Sequence, residues 1–126
     1  MRLLLDTHVV LWQLGGSRPL GTTAQQAIRD ADELLFSVIS FAEIGVKAAL
    51  GKLSVPPDLG RHVRNAGIHV LGLAPDHGLA VAELPAHHRD PFDRLLIAQA
   101  RSERLTLMTA DPRIPAYDVS TVDASR

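Results

Sequence analysis

Short apolar runs alternate with helix-period segments along the whole chain, and this alternation limits the possible folds more than any other feature. RLLL (2–5), LLFSV (34–38), IHVLGL (68–73) and LTLMT (105–109) read as strands. Between and after them, THVVLWQL (7–14), TTAQQAIRDA (22–31), SFAEIGVKAALGKL (40–53), PDHGLAVAEL (75–84) and DPFDRLLIAQARSE (90–103) carry helical spacing. The punctuation agrees. Gly15 and Gly16 end the first helix, Ser40 is placed to cap the third, and Asp90 with Pro91 opens the last one with a cap and a proline at the first helical position. YDVSTV (117–122) alternates loosely and adds a final edge strand. Strands alternating with helices imply an α/β fold with a parallel sheet.

Four acids stand where a strand gives way to a helix: Asp6 after RLLL, Glu43 past LLFSVIS, Asp93 in RDPFDRLL, and Asp111 after LTLMT. In an open parallel sheet such positions share one edge, the crevice outside the carboxyl ends of the strands where ligands bind. Each acid also has a local explanation. Ser40 and Glu43 have capping-box spacing, as do Asp90 and Asp93, and Asp6 can cap the first helix. Asp111 before Pro112 is an ordinary turn pair. Taken together, the local readings account poorly for acids that all lie at strand exits with apolar flanks.

Clustering them has an electrostatic cost. Two carboxylates about 4 Å apart repel by roughly 4 kcal/mol at an effective dielectric near 20, so several in one crevice call for a cation. Hard oxygen donors with no cysteine suit Mg²⁺ or Mn²⁺, which would turn an acidic crevice into a phosphate site and activate water there.

Composition sets the outer bounds. At 126 residues the chain is expected to be one domain, 1–126, able to bury its own core. The absence of cysteine excludes disulfides and thiolate metal sites. Apolar runs such as VISFA and LLIA are far shorter than the roughly 18 residues of a membrane span, and the expected location is the cytoplasm. Thirteen Lys and Arg against 14 Asp and Glu give no global field for a polyanion, so any nucleic-acid contact must be local.

LLLDTHVVLW, SVISFAEIGVKAALGKL, HHRDPFDRLLIAQA and LTLMTADPRI followed by YDV together span nearly the whole chain. In these segments the sequence resembles PIN-domain ribonucleases, most closely the VapC-type toxins of bacterial toxin–antitoxin pairs. The resemblance implies a three-layer α/β/α sandwich around a mainly parallel sheet and an Mg²⁺- or Mn²⁺-dependent endoribonuclease. It further implies a homodimer and a small VapB-type antitoxin as partner. Carried over residue by residue, it implies Asp6, Glu43, Asp93 and Asp111 as the catalytic and metal-binding set, with Thr109 assisting. Asp6 and Asp93 are the expected direct ligands, and Glu43 and Asp111 are expected to act through water or on a second ion. Asp93 is chosen over Asp90 by its distance to LLIAQA, leaving Asp90 as the cap. The implied reaction is in-line hydrolysis of an RNA phosphodiester, leaving a 5′-phosphate and a 3′-hydroxyl.

Two other functions fit an α/β domain of this length: an Mg²⁺-binding receiver-like signalling module, for which IHVLGLAPDH supplies only Asp76, and a non-catalytic partner-binding domain. Among the remaining polar residues, Lys47 is spaced to pair with Glu43, and contact with RNA phosphates is the lesser alternative for both Lys47 and Arg94. His87 and His88 read as a solvated helix lead-in, His8 as a surface residue of the first helix, and Trp12 as core or interface packing.

Overall fold

The computed structural model describes residues 1–16 and 18–126. Five parallel strands form its sheet: β1 (Arg2–Leu5), β2 (Glu33–Ser37), β3 (Ile68–Leu71), β4 (Thr106–Thr109) and β5 (Thr121–Asp123), in the order β3-β2-β1-β4-β5. Six helices connect them: α1 (Thr7–Gly15), α2 (Thr22–Asp30), α3 (Val38–Ala49), α4 (Leu59–Asn65), α5 (Pro75–Ala80) and α6 (Pro91–Ser102). The expected α/β fold with a parallel sheet is therefore present, with helices on both faces.

Strand periodicity explains the layering. Successive side chains of a strand point to opposite faces, so Leu3 and Leu5 enter one core with Phe36 and Met108, while Leu4 enters the other with Leu35 and Leu107. Val9 and Val10 of α1, Ala24 of α2 and Val63 of α4 close the first core. Leu96, Ile97 and Ala100 of α6 close the second, together with Leu84, Ile114 and Tyr117. A strand covered on both sides has no use for polar residues, which is why β1 reads as an unbroken leucine run.

Beyond shifts at element ends, such as α3 stopping at Ala49 and β3 at Leu71, sequence and structure differ in four places. α3 begins at Val38, not at Ser40, because the Ser37 hydroxyl accepts the Ile39 amide proton and caps the helix. The segment 75–84 is divided, with α5 ending at Ala80 and a short 3₁₀ turn covering Val81–Glu83. α4 was not expected at all; it follows Pro56 and Pro57 and is entered through Asp58 in a left-handed conformation, φ 56°. The final strand is confined to Thr121–Asp123, and Tyr117 lies before it in the second core.

The strand order positions the site. The chain builds outward from β1 through β2 to β3, then returns to the other side of β1 for β4, so the connections diverge between β1 and β4. Ligand crevices of open α/β sheets form at such reversals. Packing sets the stability of the scaffold: Phe36 is fully buried and meets Phe41 edge to face, with ring centroids 5.1 Å apart. Phe36→Ala should therefore cost about 3–5 kcal/mol, measured as a lower urea midpoint with an unchanged denaturant slope.

Candidate active site

Each of the four acids is brought by a different element to one open crevice of about 520 Å³, which Asp90, His8, Trp12, Arg18, Lys47 and Arg113 also line. Asp6 leaves β1 as the cap of α1, and its Oδ1 accepts the Thr7 amide proton at 2.7 Å. Its Oδ2 accepts from the Thr109 hydroxyl at the end of β4, again at 2.7 Å. Thr109 Oγ1 in turn accepts from the Asp111 amide at 3.1 Å. Thr109 thus stands behind Asp6, linking the two strand ends, while Asp6 both caps its helix and faces the crevice.

Glu43 is not part of a capping box. With α3 starting at Val38, Glu43 falls in its second turn and is 2% exposed. Its Oε1 accepts from the Thr7 hydroxyl at 2.7 Å, and Lys47 Nζ lies 2.5 Å from its Oε2. Ser40, the expected cap, is buried inside α3 with its hydroxyl 2.8 Å from that of Thr7. The Glu43–Lys47 pair has the i,i+4 spacing expected from sequence.

Asp90 and Asp93 divide their tasks. Asp90 Oδ1 accepts the amide protons of Phe92 and Asp93 and caps α6. Asp93, one turn on, turns its buried carboxylate into the crevice. Asp111 is held from the other side by Arg113, whose backbone N, Nε and Nη2 all donate to its carboxylate at 2.7–3.1 Å.

Three side chains have partners or surroundings that the sequence does not show. His88 is buried, with Nδ1 2.7 Å from the Tyr117 hydroxyl and Nε2 3.3 Å from Asp93 Oδ2. Nothing local in HHRD signals this, because Tyr117 lies 29 residues away. Arg94 is not free for RNA: its guanidinium donates to the carbonyls of Val81, Leu84 and Pro85 and to Tyr117, fastening that loop to α6. Trp12 is half-buried at the crevice rim, outside both cores, with the Arg18 guanidinium carbon 4.3 Å from its ring centroid. Asp76, the acid available to a receiver-like reading, lies on α5 and does not line the crevice.

The crowding alters proton affinities. Asp93 is pushed up to about 8, first by burial and then by the charges of Asp6, Asp90, Glu43 and Asp111. Burial also raises Asp6, against the bonds from Thr109 and Thr7. Asp111 goes the other way, held down chiefly by its hydrogen bond from Arg113, and Lys47 is raised by Glu43. Carboxylates that resist ionisation while facing solvent, with oxygen donors predominating, fit a hard divalent cation. Ligand atoms of His88, Asp93 and Asp111 lie within 4.8 Å of one another.

The PIN domain sequence pattern matches residues 3–120. Ribonuclease VapC22 of Mycobacterium tuberculosis (strain ATCC 25618 / H37Rv) is 33% identical over 123 residues, which is 91% of each chain. Among solved structures, VapBC2 from Rickettsia felis bound to a DNA fragment from its promoter contains a chain that superimposes with a TM-score of 0.73, at 13% identity over 98% of both chains. FitAcB from Neisseria gonorrhoeae gives 0.62, at 21% identity over 97% of both. At these identities the likeness to the solved structures is one of fold.

The Asp93 shift has a consequence for stability. From pH 3.8 to about 8 the folded, ion-free protein keeps a proton on Asp93 that the unfolded chain has released. Stability therefore falls as pH rises through that window. In the presence of a chelator, the melting temperature of Asp93→Asn should depend less steeply on pH between these limits and exceed that of the parent at pH 8, as followed by circular dichroism.

Proposed function

The chain belongs to the PIN-domain family, and on that premise we propose that it is a metal-dependent endoribonuclease acting as the toxin of a type II toxin–antitoxin pair. The observation that carries the catalytic reading is the burial of three carboxylates, Asp6, Glu43 and Asp93, against one crevice, where among the described residues only Glu43 has a lysine partner. The similarity to Ribonuclease VapC22 supports RNA as the substrate.

In this reading Asp6 and Asp93 hold the ion directly. Asp6 is fixed by Thr7 and Thr109, and Asp93 by its place in the first turn of α6. Glu43 and Asp111 act through water or on a second ion, in keeping with carboxylates whose charge is already answered by Lys47 and Arg113. Mg²⁺ or Mn²⁺ bound there supplies activation of the attacking water and neutralisation of charge on the scissile phosphate. Thr109 keeps Asp6 oriented, while Lys47, Arg18 and Arg113 at the crevice offer positive charge to a phosphate backbone. Hydrolysis leaves a 5′-phosphate and a 3′-hydroxyl.

The remaining parts of the proposal concern organisation. We read residues 1–126 as one PIN-like domain, supported by a family match over 3–120. It works as a homodimer that a small VapB-type antitoxin holds inactive. No helix among the described residues is long and apolar enough to cross a membrane, in keeping with a cytoplasmic location.

Asp6→Asn and Asp93→Asn preserve shape, and Asn caps a helix about as well as Asp. Each should fold with native circular dichroism yet cleave RNA more than about 100-fold slower, a loss of the size seen when one transition-state electrostatic contact is removed. Undiminished, metal-dependent cleavage by both variants would reject the assignment. A chelator should abolish cleavage by the parent protein, and Mn²⁺ should restore it.

A further inference from the structure

His88 stands beside Asp93 and Asp111 with its ring nitrogen close enough to count as a third ligand. Its hydrogen bonds point to a different role. The Tyr117 hydroxyl oxygen accepts from the His88 backbone amide at 3.2 Å and from Arg94 Nη1 at 3.2 Å. A phenol oxygen has one proton and two lone pairs. With both lone pairs engaged, Tyr117 has only its own proton to offer the third neighbour, His88 Nδ1, at 2.7 Å. Nδ1 must therefore accept. In a neutral imidazole the ring proton then resides on Nε2, which faces Asp93 Oδ2 at 3.3 Å.

We propose that His88 is a positioning residue for Asp93: Tyr117 and Arg94 fix its ring as the Nε2–H tautomer, so that it donates a hydrogen bond to the Asp93 carboxylate and does not ligate the ion. This extends the metal-site reading above and rests on Asp93 being a ligand. The arrangement is a relay in which Arg94 Nη1 donates to Tyr117, Tyr117 to His88, and His88 to Asp93. The relay is anchored at its start, since Arg94 also bonds the carbonyls of Val81, Leu84 and Pro85. The carboxylate oxygen facing His88 is thereby held in one orientation, leaving the other oxygen for the ion. Metal ligands oriented by such outer partners typically lose about 10–100-fold in affinity when the partner is removed.

The ring tautomer is read by two-bond ¹H–¹⁵N correlation spectroscopy on the intact, metal-free protein, before and after adding Mg²⁺. The expected result is a protonated Nε2 in both states. A protonated Nδ1 in either state would overturn the proposal, and a switch to it on adding Mg²⁺ would mean that Nε2 binds the ion. Calorimetric Mn²⁺ titration supplies the second measurement. His88→Leu should bind about 10–100-fold more weakly, whereas His88→Gln, which keeps an N–H donor near Nε2, should stay within about threefold of the parent. Parental affinity in His88→Leu would also refute the role, provided its circular dichroism is native. Tyr117→Phe should convert the ring to a mixture of tautomers while Asp93 is intact. These readouts involve no RNA, so loss of nuclease activity in Asp6→Asn tests the parent reading separately.

Discussion

The hydrogen bond from Thr109 to Asp6 closes the sheet at the point where its strand order reverses. Residues 103 positions apart meet there, and the Asp6 amide also donates to the Met108 carbonyl at 3.0 Å. Without this junction β1 and β4 would end as neighbouring strands with no shared chemistry. With it, one carboxylate caps α1, receives a hydroxyl from β4 and still faces the crevice. The same hydroxyl accepts the Asp111 amide, so the turn after β4 is set by the contact that orients Asp6. Glu43 is tied to this junction through Thr7, the residue next to Asp6. The scaffold and the site are therefore held by the same few bonds.

Around that junction the charges are only partly balanced. Lys47 answers Glu43 and Arg113 answers Asp111, whereas Asp6 and Asp93 form no pair with lysine or arginine among the described residues. These two acids are also the ones whose proton affinity is raised. The contrast sorts the four carboxylates into a compensated pair and an uncompensated pair. A cation placed between the latter would relieve both the burial cost and the mutual repulsion.

Much of this was legible in the sequence because it follows from periodicity. Leucine runs gave the strands, and acids one or two residues beyond Leu5 and Thr109 had to reach the carboxyl edge of a parallel sheet. Asp90 and Pro91 marked the start of α6, which left Asp93 free to turn inward. The capping box at Ser40, the local alternative to a crevice role for Glu43, presumes a helix start three residues late, and Ser37 takes the cap instead. The role of Ser37 was hidden because Val38 and Ile39 look like a continuing strand. His88 was misread, and the anchoring role of Arg94 was not visible, because their partners lie far along the chain. Tyr117 buries the histidine, and backbone carbonyls, which carry no sequence signature, occupy the arginine. α4 was missed because it is seven residues long and has no capping side chain.

The central position of β1 has a consequence for synthesis. Of these five strands the first to be synthesised is the middle one of the sheet, and one of its two neighbours, β4, comprises residues 106–109. A nascent chain that has reached Asp93 already contains three of the acids but lacks Thr109 and one wall of the crevice. The centre is thus completed only once β4 and the turn after it have been made. Messages broken before that point would encode polypeptides in which β1 has β2 on one side only and Asp6 lacks the Thr109 hydroxyl that holds it in place.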